Sequence, residues 1–159
     1  MLKAFFRYWL PILVWMTLIF IGSSDVLSAE HTSRVIEPLL RWLWPGISPA
    51  AIVKMHFLLR KAGHVSEYAV LAVLVYRAVV NTLLFRRPFA SAALVLGTCA
   101  IYAASDEFHQ SFVPSRTASV RDVMIDVSGA LLAVCLYSVV ALGRTVPNEA
   151  LRTSGPERI

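Results

Sequence analysis

The sequence predicts an all-α integral membrane protein, a four-helix bundle with an amphipathic interfacial helix in its first extracytoplasmic loop. Three observations carry that expectation. The chain of 159 residues is 57% hydrophobic and only 16% charged, with a mean hydropathy of +0.65, whereas a soluble domain has about a quarter of its residues charged. Four mostly apolar runs approach or reach the roughly 17–25 residues that a helix needs to cross a bilayer. Distinctive polar residues gather at one end of each run, and an alternating chain brings those ends to one membrane face. The formal charge of +5 is spread thinly, and no basic cluster alternates with aromatics, so nucleic acid is excluded as a partner. Cys99 and Cys135 both sit in apolar runs and read as packing hydrophobes rather than a disulfide or a metal pair.

In chain order, the spans are expected over about 8–24, 65–85, 88–106 and 122–143, within a single domain at 1–145. Lys3 and Arg7 precede the first span as they would a secretory signal, but no small-x-small cleavage site follows. It therefore reads as a retained helix. The long loop Asp25–Ala62 reads as lying along the membrane. Within it, SPAAIVKMHFLLRKAG predicts a helix with Ser48 as N-cap, Pro49 at the first position and Gly63 as terminator. Trp42 and Trp44 fit the interfacial aromatic belt. This segment either roofs the polar ends or simply connects two spans. Spans two and three are joined by a tight hairpin at Arg86-Arg87-Pro88, whose paired arginines mark a cytoplasmic turn. Both termini then fall on the cytoplasmic side, although Lys and Arg divide seven and seven between the faces with Arg77 inside a span. Arg77 reads as snorkelling, or else as paired with a carboxylate. The tail at 146–159 reads as a disordered cytoplasmic segment.

The shared face receives Ser23-Ser24-Asp25, KAGHVSEY at 61–68, SDEFHQ at 105–110 and RTASVRDVMID at 116–126. His64, Glu67 and Tyr68 are spaced i, i+3, i+4 and share one helix face. Asp106 and Gln110 are four apart, and Glu107 and Gln110 three apart. Asp122 and Asp126 are also four apart, and their stripe continues into Gly129 and Ala133, small residues that allow close helix contact. That stripe should face the bundle, with Asp126 about a turn deep. Ionisable groups at membrane depth are costly, by about 2.5–3.5 kcal/mol on insertion scales, so they pair or serve a site. The plainer readings are lipid-phosphate contacts for Arg60, Lys61 and Arg121, interfacial positions for His56 and His109, and capping by Ser23 and Ser24. A purely structural network of Lys61, Arg116 and the acids is the plain alternative for the cluster as a whole.

The ordered set Ser23-Ser24, Lys61-x-x-His64-x-x-x-Tyr68, Asp106-Glu107-x-x-Gln110-x-Phe112, Arg116 and Asp122 resembles the VanZ-like family of small bacterial membrane proteins. The resemblance covers about residues 9–135. It implies a polytopic helical protein of the bacterial cell envelope, in the inner membrane, from a family whose founding member is linked to low-level resistance to the glycopeptide teicoplanin. Two departures bear on the site. Pro114-Ser115-Arg116 stands where the family usually has Pro-Gly-Arg, and Asp126 stands where an Asn is common.

The favoured reading is a protein that binds or modulates an amphiphilic cell-wall-related ligand, a lipid-linked head group or a glycopeptide antibiotic. Ser24, Lys61, Tyr68, Gln110, Arg116, Asp122 and Asp126 are its expected binding residues, and the bilayer is its other partner. The alternative is an intramembrane hydrolase or transferase acting on a lipid-linked head group, with His64 and Glu107 or Asp106 as acid–base residues. A proton-coupled carrier using Asp122 and Asp126 as a relay is weaker, because the cytoplasmic half of the spans contains no acid. No cofactor and no metal is expected. His64, Glu67, Asp106 and Asp122 offer N and O ligands, but there is no HExxH, no His pair at i, i+4 and no Cys cluster. No sequence feature specifies an oligomer.

Overall fold

The computed structural model describes residues 2–25, 29–83 and 87–153. Five helices follow in order: α1 (Leu2–Ser23), α2 (Ala29–Leu43), α3 (Pro49–Thr82), α4 (Pro88–Gln110) and α5 (Val120–Thr153). No strand occurs among the described residues. Four of the helices are long and apolar enough to cross a membrane, namely Leu2–Ser23, Pro49–Thr82, Pro88–Gln110 and Val120–Val140. Their inward faces form one core of Ile12, Ile19, Tyr68, Leu71, Val75, Val95, Cys99 and Val134, closed by the small residues Ala72, Ala103 and Ala130. Large apolar side chains such as Leu13, Phe20, Val73, Leu132 and Leu136 point outward and are exposed. In water that surface would be a liability. In lipid it is the expected solvent contact, and the protein is an all-α membrane protein.

The ends of the helices follow from local chemistry. In α1 a wide turn at Phe5–Trp9 precedes Pro11. Proline has no N–H to offer the carbonyl four residues back, which is that of Arg7. Arg77 supplies the missing donor, its Nη2 lying 2.9 Å from Arg7 O, with its guanidinium 5.3 Å from the Tyr8 ring centre. Arg77 is thus held by a backbone carbonyl and an aromatic face, and by no carboxylate among the described residues. At the head of α3, Ala51 N donates to Ser48 Oγ over 3.2 Å and Pro49 opens the first turn, as the sequence predicts.

Gly63 does not terminate that helix. The predicted interfacial helix and the second span are one element of 34 residues, about 51 Å long at 1.5 Å per residue against a hydrocarbon core of about 30 Å. The reason is tertiary. On both sides of Gly63, α3 is clamped to α5: the Lys61 and His64 side chains reach Asp122 and Asp126, and the Val65 backbone lies against Gly129. A stop signal that a free chain would obey is overridden by packing. The amphipathic element of the first loop is instead α2, where the sequence predicts only a connection along the membrane. Its Ile36 and Leu40 turn inward while Val35, Leu39 and Trp42 form an exposed apolar stripe. The hairpin position Arg86 lies outside the described residues. α5 also continues through Thr153, past the boundary expected at 143, so the described part of the predicted disordered tail is helical; Asn148–Arg152 includes the good helix formers Glu, Ala, Leu and Arg. Residues 154–159 lie outside the described set.

The most extensive packing joins α3 to α5. At its centre a Cβ added to Gly129 would lie 2.3 Å from Val65 O and 2.9 Å from Val65 Cα. Only a residue without a side chain permits this approach. Gly129→Leu is therefore expected to force the seam apart and lower stability by about 1–3 kcal/mol, read as a fall in the thermal midpoint in detergent. Gly63→Ala meets nothing within 4 Å and should raise the midpoint, since alanine gains about 0.5–1 kcal/mol over glycine inside a helix.

Candidate functional site

At one end of the bundle, α3 and α5 are joined by polar contacts in successive turns. Asp122 and Asp126 project from one face of α5, and Gly129 follows on the same face. Lys61 Nζ forms an ion pair with Asp122 Oδ1. One turn deeper, His64 Nδ1 lies 3.0 Å from Asp126 Oδ1, with Asp126 fully buried. Beyond that comes the Gly129–Val65 contact. The acid stripe facing the bundle, with Asp126 a turn below Asp122, is as the spacing predicts.

A second group forms where α1 meets α4. Ser23 Oγ donates to Asp106 Oδ2 over 2.6 Å, and Gln110 Nε2 donates to the same oxygen over 3.0 Å and to Ser23 Oγ over 3.3 Å. Glu107, one residue on, faces α5. Its Oε2 accepts the Ser119 N–H at 2.7 Å and so fixes the loop that leads into α5. Arg116 returns from that loop to the C-terminal end of α1. Its Nη2 donates to Gly22 O at 2.5 Å and Ser24 O at 3.1 Å, and its Nε to Ser24 O at 3.2 Å. These are the carbonyls that a helix end leaves without partners. Burial lowers the pKa of the Arg116 guanidinium from its ordinary value, the charge of Arg60 acts in the same sense, and Asp106 and Glu67 oppose them.

The network is incomplete. Tyr68 Oη, Asp106 Oδ1, Glu107 Oε1, Gln110 Oε1 and Asp126 Oδ2 are all buried without a hydrogen-bond partner among the described residues. Buried polar atoms are ordinarily paired, and leaving one unpaired costs about 1–3 kcal/mol. Beside the network lies a cleft of about 520 Å³. Its wall combines polar residues, among them Ser23, Arg60, His64, Glu67, Gln110 and Arg116, with the apolar Ile36, Val53, Phe57 and Leu59. α2 and the projecting first turns of α3 cover it. A ring nitrogen of His64 and one oxygen each of Glu107 and Asp126 also lie within 4.8 Å of one another, from three different helices.

Of the residues named from sequence, His64, Tyr68, Asp106, Glu107, Gln110, Asp122 and Asp126 are all buried at this end. Lys61 is engaged by Asp122, and Arg116 by carbonyls of α1. Ser24 is placed differently: its hydroxyl donates to Ile21 O over 2.5 Å in its own helix, and Ser23 is the serine that reaches Asp106. The periodicity of α1 identifies it, since the buried residues Ile12, Ile19 and Ser23 follow at steps of seven and four. His109 stacks on Phe20 with ring centres 4.1 Å apart. Glu67 lines the cleft on the face it shares with His64, and His56 and Arg60 continue that stripe at four-residue steps.

The family model described as VanZ/LLP1 matches residues 8–141, most of the chain. Neither a curated protein nor a solved structure matches it.

The Lys61–Asp122 pair is testable by a double-mutant cycle. Lys61→Ala leaves a buried carboxylate without its cation, so the double variant with Asp122→Ala should lose less stability than the two single losses summed, with a coupling of about 0.5–3 kcal/mol in detergent melts.

Proposed function

We propose that this chain, which belongs to the VanZ-like family of membrane proteins, holds the polar head of a lipid-linked amphiphile in the cleft between α2, α3 and the ends of α1 and α4. The observation that supports this reading is the mixed lining of the cleft, which offers the polar His64, Glu67, Gln110 and Arg116 together with the apolar Ile36, Val53, Phe57 and Leu59. A site that offers both kinds of contact suits a molecule with a polar head and an apolar chain. Its volume of about 520 Å³ falls within the roughly 300–1,000 Å³ of drug-sized sites. It suits a head group with the start of a chain, and a glycopeptide would enter only by its lipid-bearing sugar end. Arg60 is the better cation for an anionic head: it lines the cleft and its Nε is buried without a hydrogen-bond partner among the described residues, whereas Lys61 and Arg116 are engaged within the fold.

In this reading the cleft opens on the extracytoplasmic side of a bacterial inner membrane, with both termini cytoplasmic. The exposed stripe Val35, Leu39 and Trp42 of α2 then lies in the lipid interface and makes α2 a cover over the head group. A second reading, an intramembrane hydrolase or transferase, is favoured by one contact: His64 has a buried carboxylate 3.0 Å from its Nδ1, the arrangement that orients a general base. Its partner is Asp126 and not Asp106, whose Oδ2 is already engaged by Ser23 and Gln110. Turnover of a lipid-linked head group that is lost in His64→Ala at unchanged ligand affinity is the outcome this second reading requires.

Gly63 lines the cleft and an added Cβ there meets nothing within 4 Å, so a larger side chain fills the cavity without disturbing the backbone. Gly63→Leu is expected to weaken binding of a polyprenyl phosphate, followed by native mass spectrometry in detergent, by about tenfold or more, and Gly63→Ala to retain it. Equal binding by wild type and Gly63→Leu would overturn the assignment of the cleft.

A further inference from the structure

We propose that His64, Glu107 and Asp126 bind one divalent transition-metal ion, Zn²⁺ or Mn²⁺, beside this cleft, whose wall shares His64. The three side chains come from α3, α4 and α5, and the prospective ligand atoms, one ring nitrogen and two carboxylate oxygens, all lie within 4.8 Å of one another. All three residues are more than nine-tenths buried, at 7%, 5% and 0% exposure. Such convergence of two acids and an imidazole away from water needs a counter-charge or a ligand.

Two further observations point to a cation. First, each carboxylate has an oxygen that the fold leaves unused. Glu107 Oε2 is taken by the Ser119 N–H and Asp126 Oδ1 by His64, while Glu107 Oε1 and Asp126 Oδ2 are buried with no partner. Tyr68 Oη and Asp106 Oδ1, also buried and unpartnered, lie in the same network. Orphaned acceptors among carboxylates call for a positive group, and no protein donor meets them among the described residues. Second, the fixed charges around the site do not balance. Glu67, Asp106, Glu107, Asp122 and Asp126 outnumber the basic Arg60, Lys61 and Arg116 and the His64 imidazole there, a surplus of oxygen ligands that suits a divalent ion. One imidazole with two carboxylates suits a borderline ion such as Zn²⁺ or Mn²⁺, and three protein ligands leave coordination positions for water or a ligand oxygen.

His64 belongs both to this triad and to the cleft wall. The ion therefore sits where an anionic head-group oxygen would arrive, a role that rests on the head-group reading above. The metal site itself does not.

The test uses the full chain in detergent, stripped with a chelator and then titrated with Zn²⁺ or Mn²⁺. Bound metal is read by elemental analysis and the thermal midpoint is followed in parallel. About one ion per chain is expected, with a midpoint that rises with metal concentration. Glu107→Gln and Asp126→Asn each keep an oxygen for the Ser119 and His64 contacts, so the fold should persist, which circular dichroism checks. Each should lower affinity by about tenfold or more. Asp106→Asn, a buried acid outside the triad, should weaken binding by less than either triad variant. Absence of stoichiometric metal in the wild type overturns the proposal, as does undiminished affinity in both triad variants or an equal loss in Asp106→Asn. Gly63→Leu separates the two assignments: it should bind the ion yet lose the polyprenyl phosphate.

Discussion

The close approach of α5 to α3 at Gly129 governs how the rest of the molecule is arranged. With α5 backbone resting on Val65, the turns above it are brought within reach of one another, so that Asp126 meets His64 and Asp122 meets Lys61. Without this contact the two acids would lie in or near the hydrocarbon without partners, where each would be costly. The same clamp carries α3 straight through Gly63 and projects Pro49–Arg60 beyond the bundle. That projection, together with α2, encloses the cleft. Packing of one small residue thus fixes the ion pair, the dyad and the cavity wall together.

The polar cluster is divided by how it is held. Its two cations are tied down by protein groups, Lys61 by Asp122 and Arg116 by the α1 carbonyls. Asp106, Glu107, Gln110 and Asp126 each keep an acceptor without a partner among the described residues. A network formed only for stability would close those bonds or replace them with apolar side chains, since a partly satisfied buried network is less stable than a hydrophobic core of the same volume. The orphaned oxygens of Glu107 and Asp126 and the hydroxyl of Tyr68 are the physical ground for a ligand at this end of the bundle.

Much of the fold was legible in one dimension because lipid imposes a simple demand. Each crossing must be an uninterrupted apolar helix, and the ends of four such runs show where the polar residues meet. Heptad-like and i, i+4 spacing then placed Asp122, Asp126 and Gly129 on one inward face. Local rules failed where tertiary contact outweighed them. Gly63 carries a stop signal that the α3–α5 clamp overrides, and the amphipathic helix of the first loop is α2, whose pattern is interrupted by Pro38. Ser24 and Ser23 differ by one residue, about 100° around a helix, and the stripe through Ile12 and Ile19 selects Ser23.

The sequence by itself determined the helical class, the four spans, the family and the membrane end at which His64, Asp106, Glu107, Gln110, Arg116, Asp122 and Asp126 collect. Apolar length and helical period are local properties, and they can be read without knowing which helix lies beside which. Only the tertiary structure decided that Lys61 and Arg116 are engaged within the fold, that His64 takes Asp126 as its partner, and that Glu107 from a third helix converges on both. Those facts depend on the rotation and depth of each helix against its neighbours, set by contacts such as Gly129 on Val65 between residues 64 positions apart in the chain.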